Sequence, residues 1–498
     1  MIAGAINTNV DALYALNSLT NTTNKTNTLE QELSSGLAIN SPADNPAGYI
    51  AAQGFTTQLG GVTQAISNVN QAVALVQTAD GAVQQQINIL QQLRTIADQA
   101  ANGANTTAQL QSLQQVVSQL QTQVTTISQQ AQFNNQNLLD GTFQGVQFQV
   151  GPNDGQTIAI SIGNTAADQL GVYQSQAATG GTDVYKVSGS ASGGVGDNTG
   201  NSYAISTAGA FTAGTIGVSG SAGGSSVTVT KSEAASDIAT AVNSVQAKTN
   251  VSATADTSVA FTVTSGSFSF TLGDVNASSS NTVNISATVT GTVNANSLAG
   301  LVNAINQETG QTGITATVNS SNQLVLTQAS GDNITFASFA GTGTLKAGGT
   351  SQITLSSAGT TAATVQGVVT LQSADSFAMS AGASDIGLQT SSTLSKLSAA
   401  SVDTVSHANA ALNVIDFAIQ QLENVGGQLG AIQQRLQASV NNLQTTQVNM
   451  TSALSTIQDA NIPAVTTQLT QEQILQQAGV DALAQSSQLQ QSFLRLLQ

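Results

Sequence analysis

The chain has 498 residues, of which 7% are charged and 4% aromatic, and its formal net charge is −16. With only 9 lysines and arginines it is a poor candidate for binding nucleic acid, because such proteins neutralise phosphates with these residues. The absence of cysteine excludes disulfides, thiolate metal sites and thiol nucleophiles.

The N-terminal residues have neither the basic start nor the apolar core of a secretory signal. No run of about 18 apolar residues occurs, so we expect no transmembrane helix and no membrane insertion. These rules favour a soluble cytoplasmic protein, or one exported by a route that reads no cleavable signal.

Residues 1–35 predict a helix with a broken apolar face, formed by Ile6, Val10, Leu13, Leu16, Leu29 and Leu33. Polar residues fill the middle of this face, so the helix should be weak alone. Two prolines and two glycines then interrupt the pattern between Leu33 and Gly48. Because proline lacks the amide donor, this stretch is most simply a surface loop.

Three longer apolar seams follow, at residues 62–90, 110–127 and 412–457. The last keeps a spacing of three or four residues throughout, except where Gln447 occupies the seam. A helix of this length cannot bury its stripe alone, so we predict that the three helices form a coiled-coil-like bundle and that the middle of the chain is an insertion. Representative core positions are Ile87, Leu90, Leu113, Leu120, Leu422, Leu429, Leu436 and Leu443.

Between these helices the apolar spacing changes to every second residue. Val146 and Phe148 alternate before an Asp154-Gly155 turn, and Ile158 and Ile160 alternate after it, which predicts a β-hairpin. Residues of about 175–385 are rich in Gly, Ser, Thr and Val and contain an internal repeat. The segment 238–244 recurs at 298–304, and 249–253 recurs at 312–316, which predicts two small α+β modules at about 228–272 and 295–336.

A second break at Pro463 precedes a final helix with apolar positions at Leu475, Ala478, Ala482, Leu489, Phe493 and Leu496. Its natural partner is the helix of residues 1–35. Each end of the chain is therefore predicted to consist of an outermost helix, a break and a bundle helix, counted inward from the terminus. The predicted fold class is α+β multidomain, with paired helical ends and a mostly β insertion.

Little in the sequence supports catalysis. His407 is the one histidine, and its place near the start of the long helix favours an ordinary surface residue. Neither a phosphate-binding loop nor a dinucleotide fingerprint occurs. We therefore expect no catalytic, cofactor-binding or metal site.

Several segments of the chain resemble bacterial flagellin. They include Ile6-Asn-Thr-Asn-Val10, Leu33-Ser-Ser-Gly-Leu-Ala-Ile-Asn40, Gln132-Phe-Asn134, Leu429-Gly-Ala431, Ile457-Gln-Asp-Ala460 and Gln473-Ile-Leu-Gln-Gln-Ala-Gly479. The resemblance covers about residues 1–165 and 400–498, and the internal repeats resemble those inserted in the middle of many flagellins and hook proteins. It implies a structural subunit that self-assembles into the flagellar filament for swimming motility and is located in the extracellular flagellum.

The resemblance also implies how the chain is divided. Residues 1–44 and 461–498 would form the inner tube of the filament, 45–175 and 400–460 the surrounding helical layer, and 176–399 the outer domains. The residues implied in self-assembly and in the connector between layers are Leu13, Leu16, Leu33, Gly36, Ile39, Asn40, Asp44, Gly48, Leu475, Ala478, Leu489, Phe493 and Leu496. Family members commonly lack prolines at the positions of Pro42 and Pro46, which predicts a stiffer connector here.

Implied partners are other copies of the chain, an export chaperone on the C-terminal helix, and the filament cap and hook-associated proteins. Export would use the flagellar type III apparatus. Flagellins detected by the vertebrate innate receptor carry further charged residues on the contact helix. Because this chain has Leu90, Gln92, Arg94 and Ile96 there, and Val116 on the next helix, we expect weak recognition.

Two other functions remain open from the residues alone. A hook–filament junction protein would share the terminal helices but form short collars, and a surface adhesin would bind a ligand through the Ser- and Thr-rich middle.

Overall fold

The computed structural model describes residues 9–175, 186–189, 214–229, 234–275, 280–347, 353–358, 362–380 and 389–496. It divides into two compact units. Unit 1 comprises Met1–Asp80, Phe143–Ile162 and Gln428–Gln498, and unit 2 comprises Gly81–Thr142 and Gly163–Gly427.

The helices of the described residues include five long ones near the ends of the chain. Their bounds are α1 Val10–Ser35, α2 Pro46–Ala100, α3 Thr107–Gln130, α4 Ala235–Asn243, α5 Gln246–Thr249, α6 Ala295–Gln307, α7 Thr309–Thr312, α8 Val405–Gln458 and α9 Ile462–Leu496, and the five long helices are α1, α2, α3, α8 and α9. A short 3-10 helix covers Leu397–Ala399. Within the described part of the chain, none of these helices is long and apolar enough to cross a membrane.

The strands fall mainly in the middle of the chain. Those before residue 230 are β1 Gln132–Phe133, β2 Gln136–Asn137, β3 Val146–Gln149, β4 Thr157–Ile160, β5 Gly171–Ser175, β6 Lys186–Gly189, β7 Gly214–Gly220 and β8 Gly223–Val229. The later ones are β9 Ser252–Val263, β10 Gly266–Val275, β11 Ser280–Val289, β12 Ile314–Val318, β13 Leu324–Gln328, β14 Asn333–Ala340, β15 Leu345–Ala347, β16 Ile353–Leu355, β17 Ala363–Gln366, β18 Val368–Ser373, β19 Ala378–Met379 and β20 Thr393–Lys396. Helical ends with a mostly β middle confirm the predicted fold class.

Unit 1 contains the predicted hairpin. Val146 pairs with Ile160, and Phe148 with Ile158, in the β3–β4 register. Gly155 adopts a φ of 78° in the turn, a conformation that other residues rarely adopt. Gln447, the polar residue within the long apolar seam, has a hydrogen-bond partner in the same unit: its Nε2 donates to Thr63 Oγ1 over 3.2 Å.

The helical part of unit 2 brings together the C-terminal part of α2, α3 and the N-terminal part of α8. Leu90, Val117, Val124 and Leu422 are almost completely buried. Arg94 Nε on α2 also lies 2.6 Å from Asp416 Oδ1 on α8. The predicted three-helix association therefore holds for these segments.

Besides the short β1–β2 pair, the described strands of unit 2 form three larger antiparallel sheets. Their strand orders are β11-β10-β14-β17-β6, β12-β13-β9-β18-β5-β20 with β15 and β16 attached at β9, and β19-β7-β8. We call the hydrophobic cluster of β7, β8 and α4 the first repeat core, which includes Ile216 and Ile238. The cluster of β10–β14 and α6 is the second repeat core, which includes Phe270 and Leu301.

The internal repeat is present, but its helical part is aligned differently from the sequence prediction. Asn243 at the end of α4 bonds both backbone groups of Ala253, over 2.9 and 2.8 Å. Asn306 makes the same pair of bonds to Ala316, over 2.9 and 2.7 Å. Asn243 therefore corresponds to Asn306, and its predicted match with Asn303 is wrong. The reason is that Asn306 precedes its bonded partner Ala316 by 10 residues, as Asn243 precedes Ala253.

Candidate assembly surface

The two chain breaks of unit 1 pair with each other. Leu37 and Asp459 form an antiparallel bridge. The Ala38 amide donates to Gln458 O over 2.7 Å, and the Ala460 amide donates to Gly36 O over 2.9 Å. We call these paired segments, residues 36–48 and 459–461, the connector.

Gly36 ends α1 by adopting a φ of 74°, and its amide donates to Glu32 O over 2.8 Å. This left-handed geometry is the usual reason for glycine after a helix. The chain then turns through Pro42 and re-enters a helix at Pro46, which occupies the first helical position and therefore costs no hydrogen bond. The predicted surface loop is thus a short, organised turn.

Hydrogen bonds order the middle of the connector. The Asp44 carboxylate accepts the amides of Ser41 and Asn40, over 2.8 and 3.0 Å, and these bonds lower the pKa of Asp44. Their stabilising effect is therefore present above the ordinary carboxyl pKa and is lost as the pH falls through the lowered one. Burial raises the pKa of Glu32, and the nearby charge of Asp44 raises it further.

Close packing fixes the start of α2. Asn45 Oδ1 accepts the Gly48 amide over 3.0 Å, which satisfies one of the free amides of the first turn. A Cβ atom on Gly48 would lie 2.5 Å from Cδ1 of the buried Ile39, so Gly48 permits this approach. The side-chain amide of Asn40 donates through Nδ2 to Leu37 O over 3.0 Å and closes the turn from the other side.

The helices α1 and α9 pair antiparallel through small and polar residues. Thr26 is buried and Leu19 half-buried on α1, and a Cβ on Gly479 would lie 3.5 Å from Leu19. Gln476 Nε2 donates to Thr23 Oγ1 over 3.3 Å, and Lys25 Nζ lies 3.4 Å from Glu472 Oε1. The pairing of the two ends agrees with the sequence prediction. The residues that form the contact, however, are not the predicted ones.

The large apolar residues of the two helices are exposed instead. The predicted seam residues Leu13 and Leu16 are 55% and 49% exposed, and Leu475 is 47% exposed. We define the terminal apolar face as the exposed set Val10, Leu13, Tyr14, Leu16, Ile474, Leu475 and Val480. The prediction that the apolar stripes of α1 and α9 face each other is therefore wrong, because the small Ala, Thr and Gly side chains let the helices meet on another side. Ala478 is also exposed, and Leu33 is 36% exposed.

Some predicted assembly residues lie beyond what can be placed. Ile6 falls outside the described residues. The backbone of α9 includes Leu489, Phe493 and Leu496, but their side chains fall outside the described part of the structure.

The predicted core residues of the bundle differ in burial. Ile87, Leu90, Leu422, Leu429 and Leu436 are buried, whereas Leu113, Leu120 and Leu443 are only half-buried.

The sequence analysis missed two buried glutamine side chains of unit 2, Gln86 and Gln121. Gln86 Nε2 donates to Val124 O and Thr165 O, over 2.9 and 3.2 Å. Gln121 Nε2 donates to Leu397 O and Ala400 O, over 2.7 and 2.8 Å, and no local pattern marks either residue.

The predicted receptor helix is only partly available for contact. Leu90 is fully buried and therefore belongs to the core, whereas Gln92 and Arg94 are exposed and Ile96 is half-buried. Val116, on α3, is 42% exposed. The Arg94 guanidinium is already engaged by Asp416.

In the described ranges no three His, Cys, Asp or Glu residues are placed to hold a metal ion. His407 is exposed on α8, with Nδ1 2.5 Å from Asp403 Oδ1, and this contact lowers the pKa of Asp403. Asp403 also accepts a hydrogen bond from Ser401 Oγ over 2.9 Å, and the Thr404 hydroxyl between them accepts the His407 amide over 3.1 Å at the start of α8.

Family models match three parts of the chain. Residues 6–144 match the bacterial flagellin N-terminal helical region, and residues 412–497 match the C-terminal helical region. Residues 268–330 match the flagellin hook IN motif, which includes most of the second predicted repeat (about 295–336) and begins upstream of it.

Similar proteins extend over the whole chain. The B-type flagellin of Pseudomonas aeruginosa is 34% identical over 513 residues, covering 100% of both chains. Flagellin B of Helicobacter pylori is 30% identical over 540 residues, covering 99% of both chains. The solved structure of FliC from Burkholderia pseudomallei has a TM-score of 0.29 at 18% identity and covers 73% of this chain and 99% of its own, a likeness too low to add to the argument. From the matching helical regions and the full-length relatives, we conclude that the chain belongs to the bacterial flagellin family.

Proposed function

We propose that this filament subunit assembles by burying the terminal apolar face against neighbouring copies. The observation that carries the proposal is the exposure of Leu13, Leu16 and Leu475 beside a seam made of small and polar residues. Soluble monomers rarely expose large apolar side chains in contiguous groups unless they form a contact. Burying one leucine side chain contributes about 1.5–3 kcal/mol, so several such residues provide a substantial driving force.

The α1–α9 pair should be weak until neighbours cover it. Thr20, Thr23, Thr26 and Thr28 each donate a hydroxyl hydrogen bond to the carbonyl four residues earlier, over 2.8 to 3.1 Å. Such bonds slightly destabilise helices. We therefore infer that these helices become stable mainly through contacts between subunits.

The contacts join different surfaces of successive subunits and do not close a ring, which produces an open helical polymer. In it, residues 1–44 and 461–498 form the inner tube, and 45–175 and 400–460 form the surrounding layer. Residues 176–399 project outward. The connector links the inner tube to the surrounding layer. The bridge between Leu37 and Asp459 supports this role, because it holds the two connector segments side by side.

We further propose that the chain is exported by the flagellar type III apparatus and functions outside the cell. Its partners are then an export chaperone bound to the C-terminal helix and the cap and hook-associated proteins of the filament. The exposed residues Ile474, Leu475 and Val480 give such a chaperone an apolar helix face to cover before assembly. The function requires no cofactor and no catalytic step.

Electron microscopy of the purified chain, before and after seeding, tests this function. We expect the full chain to grow long hollow filaments, because seeds supply the missing apolar partner surface. A version lacking residues 1–35 and 465–498 should stay monomeric under the same conditions. Short collars from the full chain would instead support a junction protein, and no assembly at all would contradict the proposal.

Purified subunits should activate the vertebrate innate receptor for flagellin only weakly. The physical reason is that Arg94 is the one cation on the exposed helix surface around Gln92, and Val116 offers no charge on α3. A reporter assay should therefore show a stronger response for the double variant Gln92→Arg with Val116→Glu. Potent activation by the unmodified chain would refute this expectation.

A further inference from the structure

Two buried carboxyl groups lie beside the turn that joins β13 to β14. Asp274 of β10 is 6% exposed, and Asp332 of the turn is 7% exposed. Buried carboxylates are normally paired with cations, because removing a charge from water is costly. Among the described residues no salt bridge involves either of them, so their partners are polar and uncharged or are each other.

Asp332 connects the second repeat core to the first. Its carboxylate accepts hydrogen bonds from the hydroxyl of Ser236, in the first turn of α4, and from Ser330 Oγ over 2.9 Å. The Ser236 amide donates to the neighbouring carbonyl of Gly331 over 3.1 Å. Because α4 packs in the first repeat core, this turn holds the start of a helix that belongs to the other module.

Asp274 reaches the same turn through Gln328. Gln328 Nε2 donates to Asp274 Oδ1 over 2.9 Å, and its Oε1 accepts the Ser330 amide over 3.1 Å. In the β10–β14 register Asp274 pairs with Ile334 and Val275 with Asn333, so Asp274 lies beside the start of β14, which Asp332 directly precedes. Burial raises the pKa of Asp274, and the charge of Asp332 raises it further.

Other charged groups occur on the surrounding elements. They are Asp237 of α4, Asp256 of β9, Glu308 before α7, Lys248 of α5 and Lys346 of β15. Of the described charged groups, Asp332 is the one whose charge changes the pKa of Asp274.

We propose that Asp274 and Asp332 form a proton-dependent clasp: it fixes the turn that bonds to α4, and so holds the two repeat modules together more tightly in mildly acidic medium than at neutral pH. When both groups are ionised, two negative charges repel each other in a poorly solvated place. A proton on Asp274 removes this repulsion and lets the neutral acid donate a hydrogen bond to the Asp332 carboxylate.

The direction of the pH effect follows from the raised pKa. Because the folded state binds the proton more readily than the unfolded state, protonation favours the closed clasp. This stabilisation is complete below the ordinary carboxyl pKa of about 3.9 and is lost as the pH rises through the higher pKa of the folded state.

Hydrogen exchange of the full chain, followed by mass spectrometry and corrected for intrinsic rates, tests the clasp. In peptides from residues 234–243 and 324–336, we expect opening at about pH 4 to be several-fold rarer than at about pH 7.5, because the folded state holds the proton on Asp274 more readily than the unfolded state. Asp274→Asn keeps the shape and the hydrogen bonds without the charge, so it should remove the difference. Asp332→Asn removes the other charge of the pair and should also abolish the pH difference. It replaces the first variant in the test if Asp274→Asn does not fold.

Two further variants separate the clasp from general effects of acid. Asp375→Asn removes an exposed carboxylate of unit 2 and should leave the pH difference intact. Ser236→Ala removes the bond to α4, so it should speed exchange in residues 234–243 at both pH values while residues 324–336 keep their pH dependence. Equal protection at both pH values in the unmodified chain, or a pH difference that persists in both asparagine variants, would overturn the proposal.

Discussion

Replacing Leu13 by aspartate is expected to prevent filament growth while leaving the monomer folded. In the monomer this side chain is 55% exposed, so a carboxylate there remains in water. In the proposed filament the same position is buried, and the variant loses about 1.5–3 kcal/mol of apolar burial and also has to desolvate a charge. Together these costs raise the critical concentration for assembly by at least about 100-fold. Sedimentation of seeded samples over a range of concentrations measures this value.

The matched control places the same charge on a polar position of the same helix. Asn21 is exposed on α1 outside the terminal apolar face, and Asn21→Asp should change the critical concentration much less. Circular dichroism should show equal helix content for both monomers. Normal filament growth by the Leu13→Asp variant would mean that this face is not the assembly surface.

Replacing Leu90 by alanine is expected to reduce the free energy of unfolding of the helical part of unit 2 by about 2–5 kcal/mol. The side chain is fully buried between α2 and its neighbours, so its removal leaves a cavity in a packed core. Denaturant unfolding followed by the helical signal measures this loss. The expected cause is packing alone, because Leu90 makes no polar contact.

Leu113 provides the comparison for this variant. It belongs to the same predicted seam but is only half-buried, so Leu113→Ala removes less apolar contact and leaves a space that water can enter. A smaller loss is therefore expected. Equal losses for the two variants would show that burial in the isolated subunit does not decide their contribution.

The sequence was sufficient for features encoded by local spacing. Leu422, Leu429 and Leu436 follow a helical repeat and are all buried, because a long regular stripe admits few other structures. The β3–β4 hairpin was predictable for the same reason, since its Asp-Gly turn lies between alternating strands.

Features that depend on distant partners were missed. The side of α1 that faces α9 carries Leu19, Thr23 and Thr26, a set of residues that no hydrophobicity pattern selects. The neighbours of β9, which pairs with β13, β15 and β18, are likewise set by the whole fold. The repeat was detectable, but its helical register was not, because Asn243 and Asn306 are identified by the bonds that they make to the following strand.

The pairing of α1 with α9 has a consequence for the order of folding. Asn9 Nδ2 donates to Ser486 Oγ over 3.2 Å, across a sequence separation of 477 residues. During synthesis, α1 therefore emerges long before its partner and stays unpaired until almost the whole intervening chain has been made. Contacts of such high contact order form slowly, since the closure of a long loop must precede any gain from the contact. We therefore expect α1 and α9 to pair late in folding, which is compatible with the proposed export of an extended chain.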